Sequence, residues 1–447
     1  MHPHRHAFAF LVLLASSVPA QDLAQKVDAA VAPHMQKPLA VGLSVGVAMG
    51  SETVAKGYGL ADVEFDVPVN GATAFRIGSI TKQFTAVLVM KLVEKGLVGL
   101  EDPLQKHVPE FATEGKQVTV RQLLDHTSGI KSYTDLGPKW EEKQPLELTH
   151  EQLLALVADE PFDFEPGSDW RYNNTGYYLL GVLLEKVTGK SYASLVADEI
   201  ATPLSMTRTR YDSNLDLIKN RAQGYQFDGE TIQNDAPLGM SQPFAAGALL
   251  STGGDLVRWA QALTGGKVLL PASYERMTTT TVLPNGRDTH YAFGIGRDEF
   301  GGKLRLQHGG GINGFNSFLL SLPEVDFHVA VISNSERLSS RRVAEDLAYS
   351  VLGLERPKAE DKPTSKELRA RLTGAFAIAD LSLELEVFEK DDKLMVQAVG
   401  QSAFAILWQG EGEFRAAFDP SVKLVFRRDG SSFDLHQSGG VFEAKRK

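Results

Sequence analysis

The sequence predicts a mixed α/β (α+β) domain, an antiparallel sheet flanked by helices, followed by a small all-β barrel or sandwich. Three observations carry this. Strand-like segments occur in two groups, near residues 41–60 and 292–333, with helical stretches between them, so one sheet must join both ends. A charged, proline-containing stretch, Leu354 to Glu367, then has linker composition. Beyond it the chain runs in short alternating segments separated by turn residues.

Taken in order, residues 1–20 open with a polar start containing Arg5, continue with an apolar run from Ala7 to Val18, and close on Val18-Pro19-Ala20. This is the pattern of a secretory signal peptide cut after Ala20, and it predicts an exported protein, periplasmic or secreted. The apolar run is too short to span a membrane. Asp22 to Met35 has amphipathic helical spacing. Val41 to Met49 alternates as a strand that can pair with Val54 to Leu60. Thr81 to Val98 reads as a strong helix with Phe84, Val87, Leu88 and Leu92 on its apolar face, closed by Gly96 and Gly99. Helices follow at Glu151 to Ala158 and Tyr177 to Thr188. Strands are expected at Ala292 to Gly296, Lys303 to Gln307, Phe315 to Leu322 and His328 to Ser333, then a helix at Val343 to Leu352. In the tail, strands are expected at Ser382 to Val387, Lys393 to Ala398, Val422 to Arg427 and Phe433 to His436. The domain boundaries that follow are 1–20, 21–353, 354–367 and 368–447.

Composition narrows the function. The chain has 447 residues, 43% hydrophobic and 23% charged, the range of a soluble globular protein. It has no cysteine, which excludes thiolate nucleophiles, disulfides, Cys-ligated zinc, iron–sulfur clusters and lipoprotein anchoring through cysteine. The formal charge of -10 argues against a nucleic-acid surface. After the first twenty residues no segment is apolar for long enough to span a membrane, and the histidines show no metal-ligand spacing, so neither a membrane span nor a metal is expected. Oligomeric state is left open.

Three short elements can carry chemistry. In Ser79-Ile-Thr-Lys82 the serine and lysine are three residues apart at a helix start, on one face. A serine hydroxyl needs a neighbouring base, and a lysine whose pKa is lowered can be that base. Ser79 at a helix N-terminus also has a backbone N–H free for an oxyanion. Alone, the pattern also fits an N-cap serine beside a solvated lysine. Ser128-Gly-Ile-Lys131 matches the same spacing, but Gly129 and the preceding His126-Thr127 make it a loop. In Tyr172-Asn-Asn174, a phenol near two cations can shuttle a proton, and Asn174 can hold Lys82 or a substrate carbonyl; alone, it fits a buried tyrosine beside turn asparagines. In His308-Gly-Gly-Gly311, the glycines permit close backbone approach, Gly311 can offer an oxyanion donor, and His308 can supply a proton or a cation near the Tyr172 oxygen. Gly309-x-Gly311-x-x-Gly314 also matches a dinucleotide fingerprint, which is discounted because a strand rather than a helix follows.

Together these motifs resemble the serine β-lactamase and penicillin-binding-protein superfamily, nearest its class C β-lactamase, D-aminopeptidase and esterase branch. Ser79 to Lys82 matches its Ser-x-x-Lys, Tyr172 to Asn174 its Tyr-x-Asn, and His308 to Gly310 its Lys/His/Trp-x-Gly. The flanks Phe75 to Lys82, Leu123 to Gly129, Tyr172 to Tyr178 and Gly247 to Gly254 are similar too. The tail resembles a small β-barrel accessory domain. The resemblance implies a β-lactamase/transpeptidase-like fold and an acyl-enzyme mechanism without cofactor. Ser79 attacks a carbonyl while Lys82 and Tyr172 share its proton. The N–H groups of Ser79 and Gly311 stabilise the oxyanion, Asn174, His308, Gly310 and Gly311 contact the substrate, and Tyr172 activates the water of deacylation. Lactamases of this branch usually carry lysine where this chain has His308, and a histidine is largely neutral at pH 7. That favours a small peptide, amide or ester substrate over a β-lactam. The alternatives are a β-lactamase proper, a cell-wall transpeptidase, and a catalytically idle penicillin-binding or sensor module.

Overall fold

The computed structural model describes residues 20–37, 40–356, 358–378, 383–399, 403–420, 422–437 and 440–447. The expected signal segment, apart from Ala20, lies outside the described residues. Helix α1 (Ala20–Met35) precedes strands β1 (Gly42–Met49), β2 (Glu52–Asp62) and β3 (Val67–Pro68). A helical region follows, with α2 (Thr81–Glu94), α3 (Asn174–Thr188) and α4 (Gly253–Thr264) as its long members. Strands β4 (Gly296–Phe300), β5 (Lys303–Ile312), β6 (Phe315–Leu322) and β7 (Phe327–Ser333) then lead to α5 (Ser340–Leu352). The seven strands form one sheet in the order β3-β2-β1-β7-β6-β5-β4, antiparallel throughout. The two sequence-distant strand groups meet where β1 pairs with β7, Val45 opposite Val331.

The sequence of β1 shows why the sheet is covered as it is. Successive side chains alternate faces. Leu43, Val45 and Val47 point to one face and pack with Val27, Val31, Val329, Val331, Val343 and Leu347, so α1 and α5 cover that side. The other face carries the small residues Ser44, Gly46 and Ala48, which lets α4 approach closely. A Cβ on Gly46 would lie 2.0 Å from the Gly253 carbonyl oxygen. Ser44 Oγ accepts from the Gly253 N–H at 2.9 Å, and Thr252 caps the same helix by accepting from Asp255 N–H. Such a cap stabilises a helix by about 1 kcal/mol.

Several boundaries differ from the sequence expectation, each for a local reason. α2 stops at Glu94 because the chain turns at Gly96, φ +68°. The helix expected over Glu151 to Ala158 is the shorter His150–Leu154, set by a Thr149/Gln152 capping box. α3 starts at Asn174 rather than Tyr177, because the Asn173 side chain caps it by accepting from Gly176 N–H at 2.7 Å. The expected strand Ala292 to Gly296 is a turn, with Ala292 N–H bonded to Ile295 O and Gly294 at φ +68°; strand β4 begins only at Gly296. β5 continues past Gln307 to Ile312, so His308 lies inside the strand rather than at its end. A helix, Lys366–Leu372, starts within the expected linker, capped by Ser365.

The tail is a closed eight-stranded antiparallel barrel, with strands between Gly374 and Arg446; the first strand, Gly374–Ile378, closes onto the last, Gly440–Arg446. Four of its strands, Gly374–Ile378, Phe404–Gly410, Glu413–Ala416 and Gly440–Arg446, lie outside the segments expected from the sequence. Phe376, Phe414, Phe426 and Phe433 pack against each other and fill the interior. Among the described residues no helix is long and apolar enough to cross a membrane.

Candidate active site

Ser79 stands in a three-residue 3-10 turn, Gly78–Ile80, between the short strand Phe75–Arg76 and α2. Its placement depends on two glycines. Gly78 has φ +51°, and a Cβ there would lie 2.9 Å from Gly311 N; a Cβ on Gly310 would lie 2.0 Å from Ile77 O. The serine turn therefore rests directly on the backbone of β5, along the stretch that β4 leaves unpaired beyond Gln307. Ser317 Oγ pins it by donating to Ile77 O at 2.8 Å. Gly311 is exposed, with open space where a Cβ would stand.

Lys82, the second residue of α2, is completely buried. Its Nζ lies 2.8 Å from Asn174 Oδ1, 2.8 Å from Ala246 O and 3.1 Å from Ser79 Oγ. The first two atoms can only accept. A neutral amine has two N–H bonds and one lone pair, so it satisfies both acceptors and turns its lone pair to the Ser79 hydroxyl. Burial holds the Lys82 pKa well below that of an ordinary lysine. Geometry and electrostatics thus agree on a neutral amine beside the Ser79 hydroxyl.

Asn174, first residue of α3, holds that lysine; its own Nδ2 donates to Thr134 Oγ1 at 3.1 Å, and its N–H to Ser132 Oγ at 3.1 Å. Tyr172 lies on the other side of Lys82, with Nζ 4.8 Å from its ring centroid. Burial raises the pKa of its phenol, against a smaller opposing effect of the Ser79 hydroxyl. Its buried oxygen makes no hydrogen bond of normal geometry among the described residues. Tyr172 is therefore a phenol at neutral pH, not the phenolate that two flanking cations would produce.

His308 also differs from the expectation that it supplies a proton or a cation. It is buried, and desolvation together with Lys82 lowers its pKa to about 3. Nδ1 faces Gly309 O, which can only accept, so Nδ1 carries the proton and Nε2 accepts from the Tyr291 hydroxyl at 2.8 Å. Both nitrogens are engaged within the protein. Ser128 sits in a loop, its Oγ accepting from Ile130 N–H. Among the described residues, no cluster of histidine and carboxylate side chains is arranged to hold a metal ion.

The sequence reading missed Ala246 O, Thr134 and Tyr291. The first is a backbone atom, Thr134 sits in the short 3-10 turn Tyr133–Asp135, and Tyr291 lies outside the strands, neither of them with motif spacing. It also took His126 only as loop context. Here it is fully buried, with its ring 4.4 Å from Tyr172, 5.1 Å from Tyr177 and 4.8 Å from Tyr291.

A buried lysine beside a serine at a helix start, backed by an asparagine from a second helix and a glycine-lined strand, defines a serine-hydrolase type of site on a sheet-and-helix scaffold. The Beta-lactamase family profile matches residues 27–353, and the chain belongs to that family. It is 27% identical over 415 residues to "Penicillin-binding protein 4*" of Bacillus subtilis, covering 87% of this chain and 91% of that protein. Its structure is similar to that of an octameric penicillin-binding protein homologue from Pyrococcus abyssi (TM-score 0.67, 26% identity, 94% of this chain and 100% of that one). It is also similar to a D-stereospecific amidohydrolase from Streptomyces (TM-score 0.62, 28% identity, 74% and 98%) and to a D-amino acid amidase from Ochrobactrum anthropi (TM-score 0.66, 25% identity, 74% and 99%).

Proposed function

We propose that this protein is an exported serine hydrolase that cleaves an amide or ester, foremost of a D-amino acid or D-peptide, through an acyl-enzyme on Ser79. The observation that carries the reading is the buried Lys82 amine, donating to Asn174 Oδ1 and Ala246 O with Ser79 Oγ at 3.1 Å. In acylation, Ser79 Oγ bonds to the substrate carbonyl carbon as its proton passes to Lys82 Nζ. The N–H groups of Ser79 and Gly311 receive the oxyanion. The leaving amine or alkoxide takes the proton of the Tyr172 phenol, which burial keeps protonated until then. The phenolate left behind is stabilised by the Lys82 ammonium and takes a proton from the incoming water. When the acyl group leaves as the acid, Lys82 returns its proton to Ser79 Oγ, and every group is back in its starting state.

The neutral, internally bonded His308 leaves no cation at the place where a lactamase lysine would meet a carboxylate. That supports amides and esters over β-lactams, as does the similarity to the two amide-cleaving enzymes. The test compares wild type and Ser79→Ala on a D-amino acid amide, a D-Ala-D-Ala peptide, a short p-nitrophenyl ester and a chromogenic cephalosporin. A leading, Ser79-dependent rate on the amide or peptide is the expected result. A leading ester rate makes the protein an esterase, and a leading cephalosporin rate a lactamase. Equal rates for wild type and variant on all four overturn the nucleophile assignment and leave the binding-module reading. N-terminal sequencing of the protein recovered outside the cytoplasm tests export and the cut after Ala20.

A further inference from the structure

One residue, His126, ties the loop that carries Tyr172 on both sides of the tyrosine. The N–H groups on both sides of Tyr172 bond to His126: Arg171 N–H donates to His126 O at 3.1 Å, and Asn173 N–H donates to His126 Nδ1 at 3.1 Å. His126 itself sits at φ +63°, a strained conformation for a residue with a side chain that persists only where surroundings enforce it. Those surroundings are visible. On one side, buried Asp125 accepts from Thr127 Oγ1 and from Thr281 Oγ1, the latter on the segment leading to Tyr291. On the other side, Gly167 N–H donates to Thr127 O, and Asn173 Nδ2 to Ile130 O. The turn is thus an anchored bracket, and Tyr172 hangs from its central residue.

The imidazole adds a second constraint. Because Nδ1 accepts, the neutral ring carries its proton on Nε2, and that buried N–H has no hydrogen-bond acceptor among the described residues. Its ring instead packs among Tyr172, Tyr177 and Tyr291. A buried polar group without a partner costs free energy, so a residue used for packing alone is better served by an apolar ring. The Asn173 N–H also needs an acceptor that no apolar ring supplies.

We propose that His126 is the positioning residue of Tyr172: its carbonyl and Nδ1 fix the backbone on both sides of the phenol, and its ring sets the face of the phenol toward Ser79 and Lys82. This inference rests on the acyl-enzyme reading given above. It predicts that His126 acts on the chemical step and not on substrate binding, because among the described residues its hydrogen bonds and ring contacts run to the Tyr172 loop, Tyr177 and Tyr291 and not to Ser79 or Gly311.

The test measures kcat, KM and the rate of Ser79 labelling by a fluorophosphonate probe in wild type, His126→Ala, His126→Asn and Ser79→Ala. Asparagine tolerates positive φ, and its Oδ1 can take the Asn173 N–H, so it restores the acceptor without the ring. His126→Ala is expected to lose about 100-fold or more in kcat, in the range of a misplaced proton-transfer group, with KM within about threefold. His126→Asn is expected to recover about tenfold of that loss. If alanine keeps wild-type kcat, or if asparagine recovers nothing while melting with the wild type, the proposal is overturned. If alanine does not fold, asparagine decides alone: a kcat about tenfold or more below wild type, with unchanged KM and an unchanged melting temperature, supports the proposal, whereas a wild-type kcat or a raised KM overturns it. Failure of the acyl-enzyme reading shows separately, as labelling and turnover that persist in Ser79→Ala.

Discussion

Asn174 Oδ1 accepts a hydrogen bond from Lys82 Nζ at 2.8 Å, with no carboxylate placed between them to charge the lysine. An amide oxygen orients the amine without favouring the ammonium, and that difference has a direct consequence. Asn174→Asp puts a negative charge where the amide was, so the Lys82 pKa rises. In the proposed mechanism the reactive form is the neutral amine, so the acidic limb of the kcat/KM profile is expected to move to higher pH. At pH 7 the loss is expected to be about tenfold or more, recovered in part as pH rises. A pH–rate series on the preferred substrate checks the shift; an unmoved limb removes Lys82 as the base.

Lys82→Arg keeps the reach but replaces the neutral amine with a guanidinium that does not give up its proton. Loss of the base is expected to reduce kcat/KM by about 100-fold to 10,000-fold. Titration with a fluorophosphonate probe, compared with wild type, separates a slow Ser79 from a misfolded one.

The glycines of β5 give a steric contrast between neighbours. A Cβ at Gly310 would meet Ile77 O at 2.0 Å and Ser317 Oγ at 2.3 Å, both holding the Ser79 turn. Gly310→Ala is expected to cost about 1–3 kcal/mol in stability and most of the activity. At Gly311 a Cβ meets nothing within 4 Å, and the N–H survives substitution. Gly311→Ala should therefore melt and turn over much like wild type. Thermal melts and kinetics of the pair settle it: equal effects at the two positions contradict the contact between β5 and the serine turn.

His308 carries a prediction of specificity. His308→Lys restores a cation beside the site, and a charge-assisted contact to a substrate carboxylate is expected to shift the cephalosporin-to-amide rate ratio by about tenfold in favour of the cephalosporin. An unchanged ratio means that position 308 does not face the substrate.

The same histidine links pH to stability. Its folded pKa, about 3, lies below the ordinary 6.5. Between those values the unfolded chain binds the extra proton, so stability is lost as pH falls from about 6.5 toward 3. His308→Gln should lose less melting temperature than wild type between pH 7 and pH 4. Equal losses would place the acid sensitivity elsewhere.

The sequence by itself determined the family-type motifs, the two-part architecture and the partners Ser79 and Lys82, because a spacing of three at a helix start puts both on one face whatever surrounds them. It also determined that the two distant strand groups share one sheet, since strand-like segments at both ends of a helical stretch have to join to bury their apolar faces. Tertiary structure decided the rest. The helix α3 reaches back to Asn174 only because Asn173 is free to cap it, and β5 runs on through the glycines only because β6 pairs with them. The charge states of Lys82, Tyr172 and His308 come from burial, which depends on chain segments far away in sequence. So do the acceptor Ala246 O and the bracket at His126: a carbonyl oxygen and a positive φ leave no mark in a motif, and it is packing that brings them to the serine.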